Sequence, residues 1–319
     1  MKNVVVLGDN RTVQDYNLYD TNKQTALAQS NYLVNRIIKE LPSSTNHAAA
    51  DYTMFSGRVL DHIIQNNYHI IAHADQTFRD PRLTEIVDEL MNLGLTVWNG
   101  SLQDISKRKV DEVAKAMGLL PLGVDKDYEG LVFTKTDFNA GDVPQDLQSY
   151  QYKVLDAKDV PDELWNDSRM FISAYVDPSL DKNSKYGRVE RVYFSGDEAF
   201  VISIFGSDKS EIKSDNVMRL YYRPIEKREQ DLDFLVGEGI KKPGFSFGFV
   251  DEYQQRAYDA TRLIQKKLGI DVGAIEYLID KDHNKLRLMD INYTSYTSSV
   301  GDLFTKIFAN DLYAHLHKK

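Results

Sequence analysis

Strand-like and helix-like segments alternate over residues 1 to about 100, and beyond about residue 120 the alternation gives way to paired strands. No other feature constrains the fold as much. A strand that returns parallel to its predecessor needs a crossover, usually a helix, whereas antiparallel neighbours need only a turn. Val4-Val5-Val6-Leu7, a β-branched run closed by Gly8, suits a strand buried in a parallel sheet. Residues 22–41 read as a helix ending before Pro42, and Tyr68–Ala72 as a second strand. Pro81–Leu93 reads as a helix with Ile86, Val87, Leu90 and Leu93 on one face and Gly94 placed to stop it. Leu95–Trp98 is the third predicted strand.

A helix from about Ser106, its N-cap, to Met117 carries Val110, Val113, Ala114 and Met117 on one face, with Gly118 after it. Strands are then predicted at 130–136, 151–155, 170–176, 188–194 and 198–205, separated by polar turns such as Ser195-Gly196-Asp197. Gly237, Gly239, Pro243, Gly244 and Gly248 mark residues 206–250 as loops near a site or a lid. An amphipathic helix from about Asp251 to Leu268 turns Ala257, Ala260, Thr261, Ile264 and Leu268 inward and ends at Gly269. The fold class expected is therefore α/β followed by α+β, and 319 residues allow two or three structural units.

Charge and composition exclude several functions. A net charge of −9 argues against a nucleic-acid surface, which needs a basic face. The chain has no cysteine, so disulfides, thiolate metal sites and cysteine nucleophiles are ruled out. No run approaches the roughly 20 apolar residues of a membrane span, and Val4–Leu7 is read as a strand rather than part of a signal peptide. A cytoplasmic protein with no membrane partner is the expectation.

The most chemically informative segment is a hairpin predicted at 272–279 and 285–291 around Asp280-Lys281-Asp282-His283-Asn284. Ala274, Glu276 and Leu278 share one face of its first strand; Leu286, Leu288, Asp290 and Asn292 share one face of the second. Folding the strands together sets Glu276 opposite Asp290, to within one residue of register. Like charges facing each other on a strand pair are unfavourable, so something must neutralise them. A small cluster of hard oxygen ligands suits Mg²⁺ with substrate phosphates. Spacing alone equally allows two acids facing solvent on an edge hairpin.

The stretch from Asp271 through Ala274-Ile-Glu276 to Met289-Asp290-Ile-Asn292 resembles the metal-binding hairpin of the ATP-grasp superfamily, carboxylate–amine ligases among them. The resemblance covers roughly residues 99–310. It implies a small α/β domain at 1–98 and an ATP-grasp domain at 99–319. The latter would comprise a nucleotide lid at about 120–176 and a metal-binding part at about 177–319. It implies Glu276, Asp290 and Asn292 as ligands of Mg²⁺, or of Mn²⁺ in its place, carrying ATP. Lys107, in Asn99–Lys109, and Lys135, in Leu131–Thr136, would hold the ATP phosphates; a helix N-terminus attracts phosphate in any case. Tyr175 lies in Phe171–Val176, which resembles the hinge strand that reads adenine. Arg191, in Arg191–Gly196, and Lys213, in Glu211–Asn216, would bind the nucleotide and offset charge on the phosphoryl group. Which of Arg188 and Arg191 faces the nucleotide is open.

The activity implied is an ADP-forming ligase. It would activate a small-molecule or peptide carboxylate as an acyl phosphate and join it to an amine-type acceptor, in an enzyme for which a homodimer is one expectation. Two departures stand out: Ala274 occupies a position where many such ligases carry Arg, and Tyr293–Ser299 lacks the Pro-Gly common there. They leave open a phosphotransferase acting on a hydroxyl or sugar-like substrate, or a nucleotide-binding protein without catalysis. In the N-terminal unit Asp9, Arg11, Asp75 and Arg79 sit at or just past strand ends, where α/β sheets bind ligands, and Arg79 is a candidate to hold a carboxylate. His69 and His73 fall on a predicted strand and do not form a metal pair.

Overall fold

The computed structural model describes residues 2–9, 33–74, 77–102, 104–138, 144–179, 187–206, 218–223, 245–247, 251–292 and 302–317. Its first unit runs β1 (Lys2–Gly8), α1 (Leu33–Lys39), β2 (Thr45–Asp51), α2 (Gly57–Gln65), β3 (Tyr68–His73), α3 (Pro81–Asn92) and β4 (Val97–Trp98). The strands form a sheet of order β2-β1-β3-β4, every neighbour pair parallel. Val5 and Leu7 pack on one face and Val4 and Val6 on the other. That double burial is why the β1 sequence is a continuous apolar run rather than an alternation.

The N-terminal half of the helix expected at 22–41 lies outside the described residues, and Leu33–Lys39 is helical. Two elements were not foreseen. Thr-Asn-His-Ala-Ala-Ala-Asp is a poor strand sequence, and it becomes β2 because β1 pairs with it along its whole length. The helix α2 begins after Ser56, whose side chain makes no capping bond. In α3, Leu83, Ile86, Val87 and Leu90 are buried as the period requires, but Leu93 is the C-cap and is exposed. The helix ends before Leu93 completes the apolar stripe, and Gly94 turns the chain at φ +79°.

The second part holds α4 (Lys107–Ala116), β5 (Leu131–Thr136), β6 (Lys153–Asp156), α5 (Asp162–Asn166), β7 (Met170–Ala174), β8 (Gly187–Ser195), β9 (Glu198–Gly206), β10 (Met218–Arg223) and β11 (Phe245–Phe247). It ends with α6 (Glu252–Leu268), β12 (Val272–Asp280), β13 (Lys285–Asn292) and α7 (Asp302–His317). The expected hairpin strands are present: β6-β5-β7 make a small antiparallel sheet. The order β11-β10-β9-β8-β12-β13 makes a larger one, antiparallel except between β10 and β11. The strands β10 and β11 lie in the stretch expected to be loop, and α7 was not predicted.

The large sheet is covered on both faces. Val189, Tyr193, Phe200, Ile202 and Ala274 pack against β1, α1 and α7, burying the face turned to the first unit. Val192, Val201, Ile275, Tyr277 and Ile279 pack against α4 and α6 on the other. Asn99 ties the two parts together. It holds a left-handed φ of +57°, its Oδ1 accepts from the Asp271 and Val272 amides at 2.8 and 3.1 Å, and its Nδ2 donates to the Val272 carbonyl at 3.1 Å.

Candidate functional site

The hairpin β12–β13 is in the expected register at its key position: Glu276 pairs with Asp290, and Ala274 with Asn292. It reaches that register through a bulge. Tyr277 pairs with Leu288, so Met289 is the extra residue on β13. The bulge corrects the simple alternation read from the sequence. Leu286, Leu288 and Ile291 all pack against α4 and α6, whereas Met289 packs on the opposite cluster. Asp290 and Asn292 therefore do not share a face with Leu286 and Leu288; they lie with Glu276, on the face turned to the first unit. An extra residue that re-aims side chains is a recurrent use of bulges beside active sites.

The next strand completes the row. Arg191 on β8 lies directly opposite Glu276, and its Nη2 is 2.5 Å from Glu276 Oε1. Its Nη1 donates to the hydroxyl of Tyr193 at 3.0 Å. Burial would lower the Arg191 pKa, but Glu276 and Tyr193 outweigh it, so the guanidinium is held above its ordinary range and stays charged. Arg188 lies on the other face, bound to the fully buried Glu190 and to Asp251. Of the two arginines, the carboxylate face has Arg191. Tyr193 was not foreseen; its signal was its position two residues from Arg191 on one strand.

The other carboxylate has its own cation. Lys107 Nζ donates to Asp290 Oδ1 at 2.6 Å, with both side chains largely out of solvent. Lys107, Arg108 and Lys109 open α4, after Ser106, whose hydroxyl accepts from the Lys109 amide. Three cations at the positive end of a helix dipole are locally unfavourable. Each has an acid: Asp290 for Lys107, Asp137 for Arg108 at 3.2 Å and Glu112 for Lys109 at 3.0 Å. Such a conflict between local preference and observed sequence is typical of a functional site.

Asp137 was missed by the sequence reading, and it connects the small sheet to this site. Its carboxylate accepts from the Arg108 amide at 2.8 Å and its carbonyl from the Lys107 amide at 3.2 Å. Burial raises its pKa, against the opposing pull of Arg108. Two residues earlier, Lys135 sits one residue before the end of β5, buried, with its ammonium 5.3 Å from the centre of the Phe171 ring. Lys135 shares a sheet face with Leu131 and Phe133, opposite the face on which Val132 packs with Leu147, Met170 and Ile172. Leu131, Tyr152 and Val154 stay exposed beside it. This face of the sheet is thus largely apolar, with the buried Lys135 near its Phe171 end.

The segment entering this small sheet is anchored on the hairpin and on α4. Arg287 binds Asp280 through Nε at 2.7 Å and donates to the Pro121 carbonyl at 2.6 Å. Asp111 accepts from the Leu122 and Gly123 amides. Tyr175, just after β7, donates its backbone N–H to the Leu131 carbonyl at 2.9 Å; its half-buried phenol has a pKa raised by burial and by Asp177.

Other expected positions behave differently. Arg79 is buried, and its guanidinium donates to the backbone carbonyls of Asn99 and Gly100. Those contacts lie at the boundary between the two parts. Asp9 is buried at the end of β1. Lys213, Arg11 and Asp75, with the loop at Asn139–Asp142, lie outside the described residues. Among the described residues no group of three or more His, Asp or Glu is arranged to hold a metal ion. Glu276, Asp290 and Asn292 instead offer two carboxylates and an amide oxygen, a hard set that matches Mg²⁺ shared with phosphates. Among the described residues no helix is long and apolar enough to cross a membrane.

No protein-family model and no curated protein matches the chain. Solved structures align with it over nearly their whole length. D-alanine–D-alanine ligase from Bacillus anthracis is 12% identical, covering 99% of this chain and 94% of that one, with a TM-score of 0.49. D-cycloserine synthetase DcsG is 12% identical, over 98% and 99%, with a TM-score of 0.49. Macrocyclase MdnC from Microcystis aeruginosa MRC, bound with precursor peptide MdnA, is 12% identical, over 99% and 100%, with a TM-score of 0.47.

Proposed function

We propose that this chain is an ATP-grasp enzyme that binds Mg-ATP between the small sheet and the β12–β13 hairpin, and that it uses the ATP to join a carboxylate to an amine. The observation that carries the reading is the row Arg191–Glu276–Asp290–Lys107, in which two carboxylates and two cations converge from three adjacent strands and a helix N-terminus. Lone acids on an edge hairpin have no need of such a row, whereas a site for a metal and phosphates needs both signs of charge.

In this reading the apolar face at Leu131 and Phe133 takes the adenine, with Lys135 at its phosphate end. Glu276, Asp290 and Asn292 hold Mg²⁺, which supplies charge neutralisation of the phosphates when bound. Lys107 and the α4 N-terminus grip phosphate oxygens. Arg191, together with Lys213 by the sequence resemblance, offsets the charge on the transferred group. The substrate carboxylate oxygen attacks the γ-phosphorus and ADP leaves. The amine then attacks the acyl carbon, phosphate departs and the amine loses a proton. The chain itself positions reactants and stabilises charge, so no nucleophilic side chain is required. The acid and the acceptor are a small molecule or a peptide.

A second reading, transfer of phosphate to a hydroxyl, is favoured by Ala274. It is buried in the apolar cluster facing the first unit and supplies no cation beside Asn292. The product mixture separates the two: a ligase releases ADP and free phosphate, a kinase leaves the phosphate on its acceptor.

The primary test is thermal unfolding with millimolar Mg-ATP. A ligand that binds only the folded state raises the midpoint. The native chain should be stabilised, and Asp290→Ala, folded but lacking the ligand, should not respond. A native protein indifferent to Mg-ATP in both melting and calorimetry would remove the ATP-dependent reading altogether.

A further inference from the structure

The carboxylate pair already holds two cations belonging to the chain. Lys107 Nζ is 2.6 Å from Asp290 and Arg191 Nη2 is 2.5 Å from Glu276. With both acids ionised, the charges of these four groups balance. A divalent cation arriving alone would bring two uncompensated positive charges beside an ammonium and a guanidinium, in a place largely shielded from water. A metal–triphosphate complex is different: its net charge is negative, and it offers the displaced cation a new anionic partner.

The two cations are not equally able to give way. Arg191 is fixed by Glu276 on one side and by the Tyr193 hydroxyl on the other, and its ring neighbour Tyr193 is fully buried. Lys107 is the first residue of α4, with a flexible four-carbon stem, so its ammonium can swing from Asp290 to a phosphate without disturbing the helix. The Ser106 cap and the Asp137 contacts hold the backbone there meanwhile.

We propose that Lys107 is a specificity residue that excludes free divalent cations from Glu276 and Asp290 and admits the metal only with a triphosphate. This rests on the reading of those two acids as metal ligands. Its consequence is that metal and nucleotide enter as one ligand, never metal first.

Mn²⁺ binding to the full chain, read by water-proton relaxation enhancement with and without a non-hydrolysable ATP analogue, tests it. The native protein should bind Mn²⁺ alone at least about tenfold more weakly than with the analogue. Lys107→Met should bind Mn²⁺ alone at least about tenfold more tightly than native, whereas Lys107→Arg, which keeps the charge, should retain the exclusion. Equal native affinity for Mn²⁺ with and without the analogue overturns the proposal without recourse to any variant. So does an unchanged free-Mn²⁺ affinity in a folded Lys107→Met protein. If native protein gives no enhancement with Mn²⁺ and analogue together, the metal-ligand reading of Glu276 and Asp290 fails, and the exclusion falls with it.

Discussion

Replacing Arg191 by Met gives the sharpest test of the charge row, because it leaves Glu276 buried without its facing cation. Breaking a buried ion pair by removing one partner costs about 3–5 kcal/mol. Here a ceiling can be worked out. Glu276 can escape by taking up a proton, and for a glutamate with an ordinary pKa of about 4.3 that costs about 3.7 kcal/mol at pH 7. The same escape costs only about 1 kcal/mol at pH 5. Loss of the 3.0 Å bond to Tyr193 adds a pH-independent deficit of about 1 kcal/mol. Arg191→Met should therefore be about 4–5 kcal/mol less stable than native at pH 7 and about 2 at pH 5. Urea unfolding followed by circular dichroism measures this; with a slope near 3 kcal/mol/M the midpoint falls by about 1.5 M at pH 7. The double variant Arg191→Met/Glu276→Gln should recover most of the loss and show little pH dependence. A deficit that is the same at pH 5 and pH 7, or a double variant no more stable than the single one, would refute the reasoning that charge pairing governs this position.

His69, buried against Trp98 and near His315, has its pKa pulled down to about 3 by burial first and by His315 second. Its folded value lies below its unfolded value of about 6.5, so its contribution to stability is complete above pH 6.5 and is lost as pH falls towards 3. Native protein should lose about 2 kcal/mol between pH 7 and pH 5 from this residue, and His69→Phe should lack that share of the slope in denaturant midpoints. Asn99→Ala removes three hydrogen bonds between the two parts of the chain and places Ala at a left-handed φ. A loss of about 2–4 kcal/mol in unfolding free energy is expected, and Asn99→Gly, which removes the φ penalty, should lose about 1 kcal/mol less.

Much of the candidate site is legible in the sequence because its signals are local. Two acids at hairpin spacing, a basic cluster after a helix cap and a lysine near the end of an apolar strand are all readable from neighbouring residues. Helix ends at Gly94, Gly118 and Gly269 are legible for the same reason: each sits at positive φ, where glycine carries no steric penalty. By the same logic the parallel first sheet and the antiparallel sheets beyond it follow from the change in alternation.

Only the tertiary structure decided the rest. The strand Thr45–Asp51 exists because β1 offers it a partner, not because its alanines favour extended backbone. The bulge at Met289 inverts the faces of β13, and no alternation rule predicts where one residue will be extra. That Arg191 rather than Arg188 meets Glu276 depends on which face of β8 packs on the first unit. That Arg79 binds the carbonyls of Asn99 and Gly100, about twenty positions away, is likewise a matter of tertiary packing. Local chemistry chose the residue types in this chain; which of them meet was set by strand register and by what each sheet face had to bury.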